Sequence, residues 1–166
     1  GRHPRHRHGP ASPLYGDFAL GGVVETYTAA DASGSAGSLA ATTFGDVLGW
    51  VTGGFHRPGS GMLVSLAGQS EEGWRQNADY LLGNGVLRGW RSVGAGRLEG
   101  GLYVYGSDWN SPGFVSVDRY NQGDLEAATD TTDGGDGQRY IGTLRYGLPL
   151  SPQTTLDAQV WGQLAQ

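Results

Sequence analysis

The chain has 166 residues, 31 of them Gly, with 37% hydrophobic and 10% aromatic residues and a formal net charge of −5. That length suffices for one domain with a core, and many glycines and aromatics without long apolar runs point to all-β rather than helical architecture. The acidic balance argues against nucleic acid as the main partner, the absence of Cys removes disulfides, thiolate metal sites and a cysteine nucleophile, and no stretch approaches the ~20 apolar residues of a membrane helix, a test to which barrel strands are blind.

Residues 1–8 read Gly-Arg-His-Pro-Arg-His-Arg-His. They show no periodicity, so they are expected to be disordered; they contain no apolar segment of a signal peptide. A mis-framed origin is the other expectation. One set of codons for Arg-His-Pro-Arg-His-Arg, read one base later, gives Val-Thr-Leu-Asp-Ile-Val, an alternating strand. Residues 9–24 follow with Gly-Pro, Ser-Pro and Gly-Gly punctuation and then the strand-like Val-Val-Glu-Thr-Tyr-Thr.

The stretch 9–24 resembles the end of the plug domain of TonB-dependent outer-membrane receptors. The family pattern Arg-Gly-Pro-x-Ser-x-Leu-Tyr-Gly, two residues, Ala-x-Gly-Gly-Val-Ile/Val-Asn is met at Gly9, Pro10, Ser12, Leu14, Tyr15, Gly16, Ala19, Gly21, Gly22, Val23 and Val24. It is departed from at His8, where the family has Arg, and at Glu25, where it has Asn. Residues 1–30 are accordingly expected to be the end of a plug and the Ala/Gly/Ser/Asp-rich 31–37 a linker.

From residue 38 onward the chain alternates strand-like runs and breaks. The run 38–44 is weakly patterned. In 47–56, Val47, Val51 and Phe55 share one face and Trp50, Thr52 and His56 the other. After a turn at 57–60, Met62, Val64 and Leu66 oppose Ser65, Gln69 and Glu71. A polar loop at 71–79 precedes 80–91, where Arg88 and Trp90 break the apolar alternation. After a turn at 93–96, Leu98, Leu102 and Val104 oppose Arg97, Glu99, Tyr103 and Tyr105. A long polar loop is expected over 108–137. Beyond it Tyr140, Leu144, Tyr146 and Leu148 oppose Arg139, Thr143 and Arg145. A turn at 149–153 leads to Leu156, Ala158, Val160 and Leu164 opposing Asp157, Gln159, Trp161 and Gln163.

Connections thus alternate short and long, as in outer-membrane barrels with short periplasmic turns and long external loops. The fold class expected is an all-β antiparallel meander, a partial transmembrane β-barrel preceded by the C-terminal end of a plug, with residues 38–166 supplying about the first seven strands. The resemblance implies a barrel of roughly 22 strands in the bacterial outer membrane. It implies uptake of a scarce small-molecule nutrient such as a ferric siderophore or cobalamin, powered by the TonB system, whose contact segment is not in this sequence. It implies no enzymatic activity and no cofactor. The rival expectation is a soluble secreted β-sandwich that binds glycans through Trp74 and Trp109; a weaker one is a small hydrolase using a carboxylate pair from Glu71, Glu72, Glu99, Asp108 and Asp157.

Trp74, Arg75, Trp109, Asn110, Arg119 and Tyr120 fall on or beside the two long loops and are the candidate ligand contacts, because aromatics and Arg dominate recognition surfaces. Asp130, Asp133 and Asp136 sit among glycines and are weak Ca²⁺ candidates, their spacing unlike an EF-hand's. No Gly-x-Ser-x-Gly element precedes a helix, so no catalytic triad is expected.

Overall fold

The computed structural model describes residues 5–7, 23–25, 31–43 and 45–166. Of the plug-like motif, only Val23 and Val24 lie among them; Gly9, Pro10, Ser12, Leu14, Tyr15, Gly16, Ala19, Gly21 and Gly22 lie outside the described residues.

Strand β1 (Arg5–Arg7) pairs antiparallel with β2 (Val23–Glu25). Arg5–Arg7 falls within the stretch 1–8 read as disordered or mis-framed. Ladder pairing is made by backbone groups, so a β-prone Val-Val segment can recruit a partner whose own side chains carry no strand pattern. The remaining strands are β3 (Gly34–Ala41), β4 (Val47–Arg57), β5 (Ser60–Glu71), β6 (Tyr80–Val93), β7 (Gly96–Asn110), β8 (Gly134–Ser151) and β9 (Thr154–Ala165). They form one seven-stranded sheet in sequence order, with every neighbouring pair antiparallel. The expected all-β meander is present. The sheet is open, with β3 and β9 at its edges.

The connections segregate by length. Pro58-Gly59, Gly94-Ala95 and Pro152-Gln153 join strands at one end of the sheet. Pro58 precedes Gly59 at φ +80°, the combination a type II turn needs. At the other end lie 42–46, 72–79 and 111–133. The last contains the only helix among the described residues, α1 (Val117–Asn121), a single turn capped by Ser116.

Several boundaries differ from those expected. Strand β3 begins at Gly34, inside the stretch read as a linker. The loop expected over 108–137 is shorter, because Asp108, Trp109 and Asn110 pair with Asp136, Gly135 and Gly134. The glycines permit this: a Cβ at Gly135 would lie 2.8 Å from the Trp109 ring. Pro149, read as turn, lies within β8 beside a register shift, the kind of site where a strand tolerates proline.

The register brings the apolar faces of successive strands together. One row runs Val51, Leu66, Gly85, Val104, Tyr140, Leu164 across β4 to β9. The opposite face carries rows such as His56, Gly61, Trp90, Glu99, Arg145, Gln159. Arg88 and Trp90 belong to this polar face. The apolar partners across β6 are Leu81 and Leu87, separated by Gly83 and Gly85, so the alternation of β6 is intact. No second layer covers the apolar face among the described residues. Leu39, Val51, Leu66, Leu102, Leu144, Val160 and Leu164 are all exposed, and among the described residues the only buried hydrophobic ones are Ala127 and Ala128, at 1% and 9% exposure.

Candidate functional site at the long-loop end

The two buried alanines mark where loops 72–79 and 111–133 are tied together. Arg75 donates from Nη1 to the Gly113 carbonyl at 2.8 Å and from Nη2 to those of Ala127 at 3.0 Å and Pro112 at 3.4 Å. Its Nε is buried and lacks a hydrogen-bond partner among the described residues. Asn77, in the left-handed region at φ 57°, donates from Nδ2 to the carbonyls of Ser111, Asp130 and Asp133. The backbone N–H of Gln76 reaches the Glu126 carbonyl at 2.8 Å. One short loop thereby satisfies carbonyls of the longer one, which has little secondary structure of its own.

The six candidate ligand contacts divide. Arg75 is engaged by loop carbonyls. Asn110 donates to both carboxylate oxygens of Asp79, at 3.1 and 3.0 Å, and closes the mouth of the β6–β7 pair. Arg119 pairs with Asp124 at 2.9 Å. Trp109 lies along Gly135 and is partly exposed. Trp74 and Tyr120 are largely exposed, and the Arg75 guanidinium lies 6.0 Å from the Trp74 ring centroid. The tool that gathers the site is Arg75, and the groups left facing solvent are the aromatics.

The Ca²⁺ candidates are not gathered. The Thr132 hydroxyl and backbone N–H both donate to Asp130 Oδ1, which holds that carboxyl below its ordinary range. Asp136 lies in β8 opposite Asp108. Among the described residues no group of three or more His, Asp or Glu side chains could hold a metal ion.

At the other end of the sheet, the polar face carries a cluster that the sequence did not reveal. Asp31, just ahead of β3, accepts from Trp90 Nε1, and His56 Nδ1 lies 2.9 Å from the same oxygen, Oδ2. The Trp90 bond and then the His56 bond hold the Asp31 carboxyl below its ordinary range. The Arg97 guanidinium stacks 3.9 Å from the Trp90 ring centroid and its Nε pairs with Glu99 at 2.8 Å. Gly61 is required here, since a Cβ would overlap the Trp90 indole and Asp31. Farther along, Arg145 pairs with Asp157 at 2.9 Å beside a hollow of about 210 Å³. Of the carboxylates considered for hydrolysis, Glu99 and Asp157 are thus held by arginines, and Glu71 accepts from Gln69 and Tyr80.

No protein-family model matches the chain, and no curated protein or solved structure matches it either.

Proposed function

We propose that the chain is part of a TonB-dependent outer-membrane receptor: the end of a plug and the first seven strands of a transmembrane barrel, serving active uptake of a scarce small-molecule nutrient. The observation that carries the reading is the bare apolar face. Strands β4 to β9 place Val51, Leu66, Leu87, Leu102, Val104, Tyr140, Leu144, Val160 and Leu164 on one side in register, and no described element packs over them. Water is a poor solvent for such a surface, whereas a bilayer covers it and leaves the polar face to a wet lumen. A β-sandwich would place a second sheet over it.

Two further features support the reading. Two-residue turns at one end and longer loops at the other are the asymmetry of outer-membrane barrels. The motif at 9–24 is the resemblance to the end of a plug. In this account Trp74 and Tyr120 stand at the external mouth, where an arriving ligand is first met, and Arg75 and Asn77 hold the loop that presents them. In this reading the edges at β3 and β9 are where further strands would pair, since unpaired backbone groups are costly in lipid.

The test is solubility. The chain, refolded without detergent, should sediment; with maltoside micelles or phosphatidylcholine vesicles it should remain dispersed with a β-sheet spectrum. A soluble monomer with a cooperative unfolding transition in plain buffer would overturn the reading in favour of the sandwich.

A further inference from the structure

Resting on the receptor reading, we infer that the long-loop end receives an organic cation with an apolar or aromatic body, rather than an anionic ligand. The surface itself is apolar at its tip. Phe114 is 91% exposed, Trp74 69% and Tyr120 66%. They are held in place: Arg75, next to Trp74, binds the carbonyl of Gly113, next to Phe114. Val117 and Tyr120 lie one helical turn apart on α1, and both face solvent.

Charge chooses the occupant. Loop 111–133 carries Asp118, Asp124, Glu126, Asp130 and Asp133 against Arg119. Loop 72–79 carries Glu72 and Asp79 against Arg75. Both cations are engaged internally, Arg119 by Asp124 and Arg75 by three carbonyls. Neither loop therefore presents an unengaged arginine to a carboxylate, sulfonate or phosphate. Arg57, Arg91, Arg97 and Arg145 lie toward the short-turn end, while Arg139, opposite Tyr105 and about five residues into β8, is the strand arginine nearest the loops. The field at the loops is negative, and it concentrates cations and repels anions on approach. Exposed Trp, Phe and Tyr rings then offer the faces that hold an ammonium or guanidinium group. An anionic ligand would meet acidic side chains and aromatic faces, both of which disfavour it.

The experiment uses the full 166-residue chain in uncharged maltoside micelles and three matched probes: benzyltrimethylammonium, benzenesulfonate and benzyl alcohol. Dissociation constants come from ligand-observed NMR. The cation should bind at least about tenfold more tightly than the sulfonate at about 0.05 M salt, and the gap should shrink to about twofold at about 0.5 M as screening shortens the field. Trp74→Leu should weaken cation binding by about threefold or more through loss of a ring face; Phe114→Leu is the second ring variant. Asp118→Asn with Glu126→Gln should narrow the charge preference while leaving benzyl alcohol binding unchanged. A sulfonate bound as tightly as the cation, or a charge preference unaffected by the double variant, overturns the ligand class. A chain that folds as a soluble monomer without detergent overturns the receptor reading instead, so the two failures are distinct.

Discussion

Leu102 is the position at which the membrane reading makes its sharpest energetic demand. It sits on the apolar face of β7, between Leu87 and Gly142 on the neighbouring strands, and is 46% exposed. From Gly96, at the short-turn end, it lies about 20 Å along the strand at ~3.3 Å per residue. A tilt of about 45° converts that to roughly 14 Å of depth, close to the middle of an apolar band about 25 Å tall. Leu102→Arg should then cost about 2–4 kcal/mol, the range for Arg on the lipid face near the midplane. The adjacent Tyr103→Arg projects from the polar face, between Val86 and Ile141, and should cost below about 1 kcal/mol. The assay is urea unfolding of the chain reconstituted in phosphatidylcholine vesicles, followed by tryptophan fluorescence. The pair share a strand, a charge and almost a depth, so the difference isolates the face. Equal costs, or a larger cost at Tyr103, would refute the reasoning.

Other perturbations probe the two ends of the sheet. Arg75→Ala removes three charge-assisted bonds to loop carbonyls and should destabilise loop 111–133 by about 2 kcal/mol, read as a roughly 30-fold rise in the rate of limited proteolysis within that loop; no change would show that the loop does not depend on Arg75. Asp31 has a lowered folded-state pKa, set first by Trp90 and then by His56, so its contribution is complete above about pH 4 and declines as pH falls through the lowered value. Hydrogen exchange of the β3 backbone should accelerate over that acid range and not between about pH 5 and 8 on account of Asp31; Asp31→Asn should abolish the acid dependence. Gly61→Val should act like loss of Asp31, because the new side chain occupies the space of the Trp90 indole and the Asp31 carboxylate; an unchanged β3 exchange rate would show that this contact does not hold the strand entry.

The faces of the strands were legible because alternation is a property of sequence: Leu98, Leu102 and Val104 fall on one side wherever β7 is placed. The register was not, yet it decided whether those stripes joined or scattered. Strand β6 looked irregular because its apolar face is largely glycine, at Gly83, Gly85 and Gly89, which gives no hydrophobic signal. Strand β3 was hidden for a related reason. Its Gly, Ser and Ala composition reads as a linker, but an edge strand can be held by backbone bonds to β4 alone. Candidate residues on the long loops were found by type, since Trp, Arg and Tyr stand out in polar loops. Their partners were not readable: the carbonyls that engage Arg75 are set by how the two loops meet, and the pairing of Arg119 with Asp124 by the turn after α1. The Asp31–His56–Trp90 contact joins residues remote in sequence, and no local pattern announces it.

The central claim is that the two faces of this sheet meet different solvents. Nitroxide labels placed singly at positions 98 to 105 of β7, with the chain in vesicles, measure it directly through collision with oxygen, which partitions into lipid, and with a water-soluble nickel chelate. The account predicts a period of two: high oxygen contact at Leu98, Leu102 and Val104, and low oxygen contact at Glu99, Tyr103 and Tyr105. Oxygen accessibility without alternation, or alternation of the opposite phase, would contradict it.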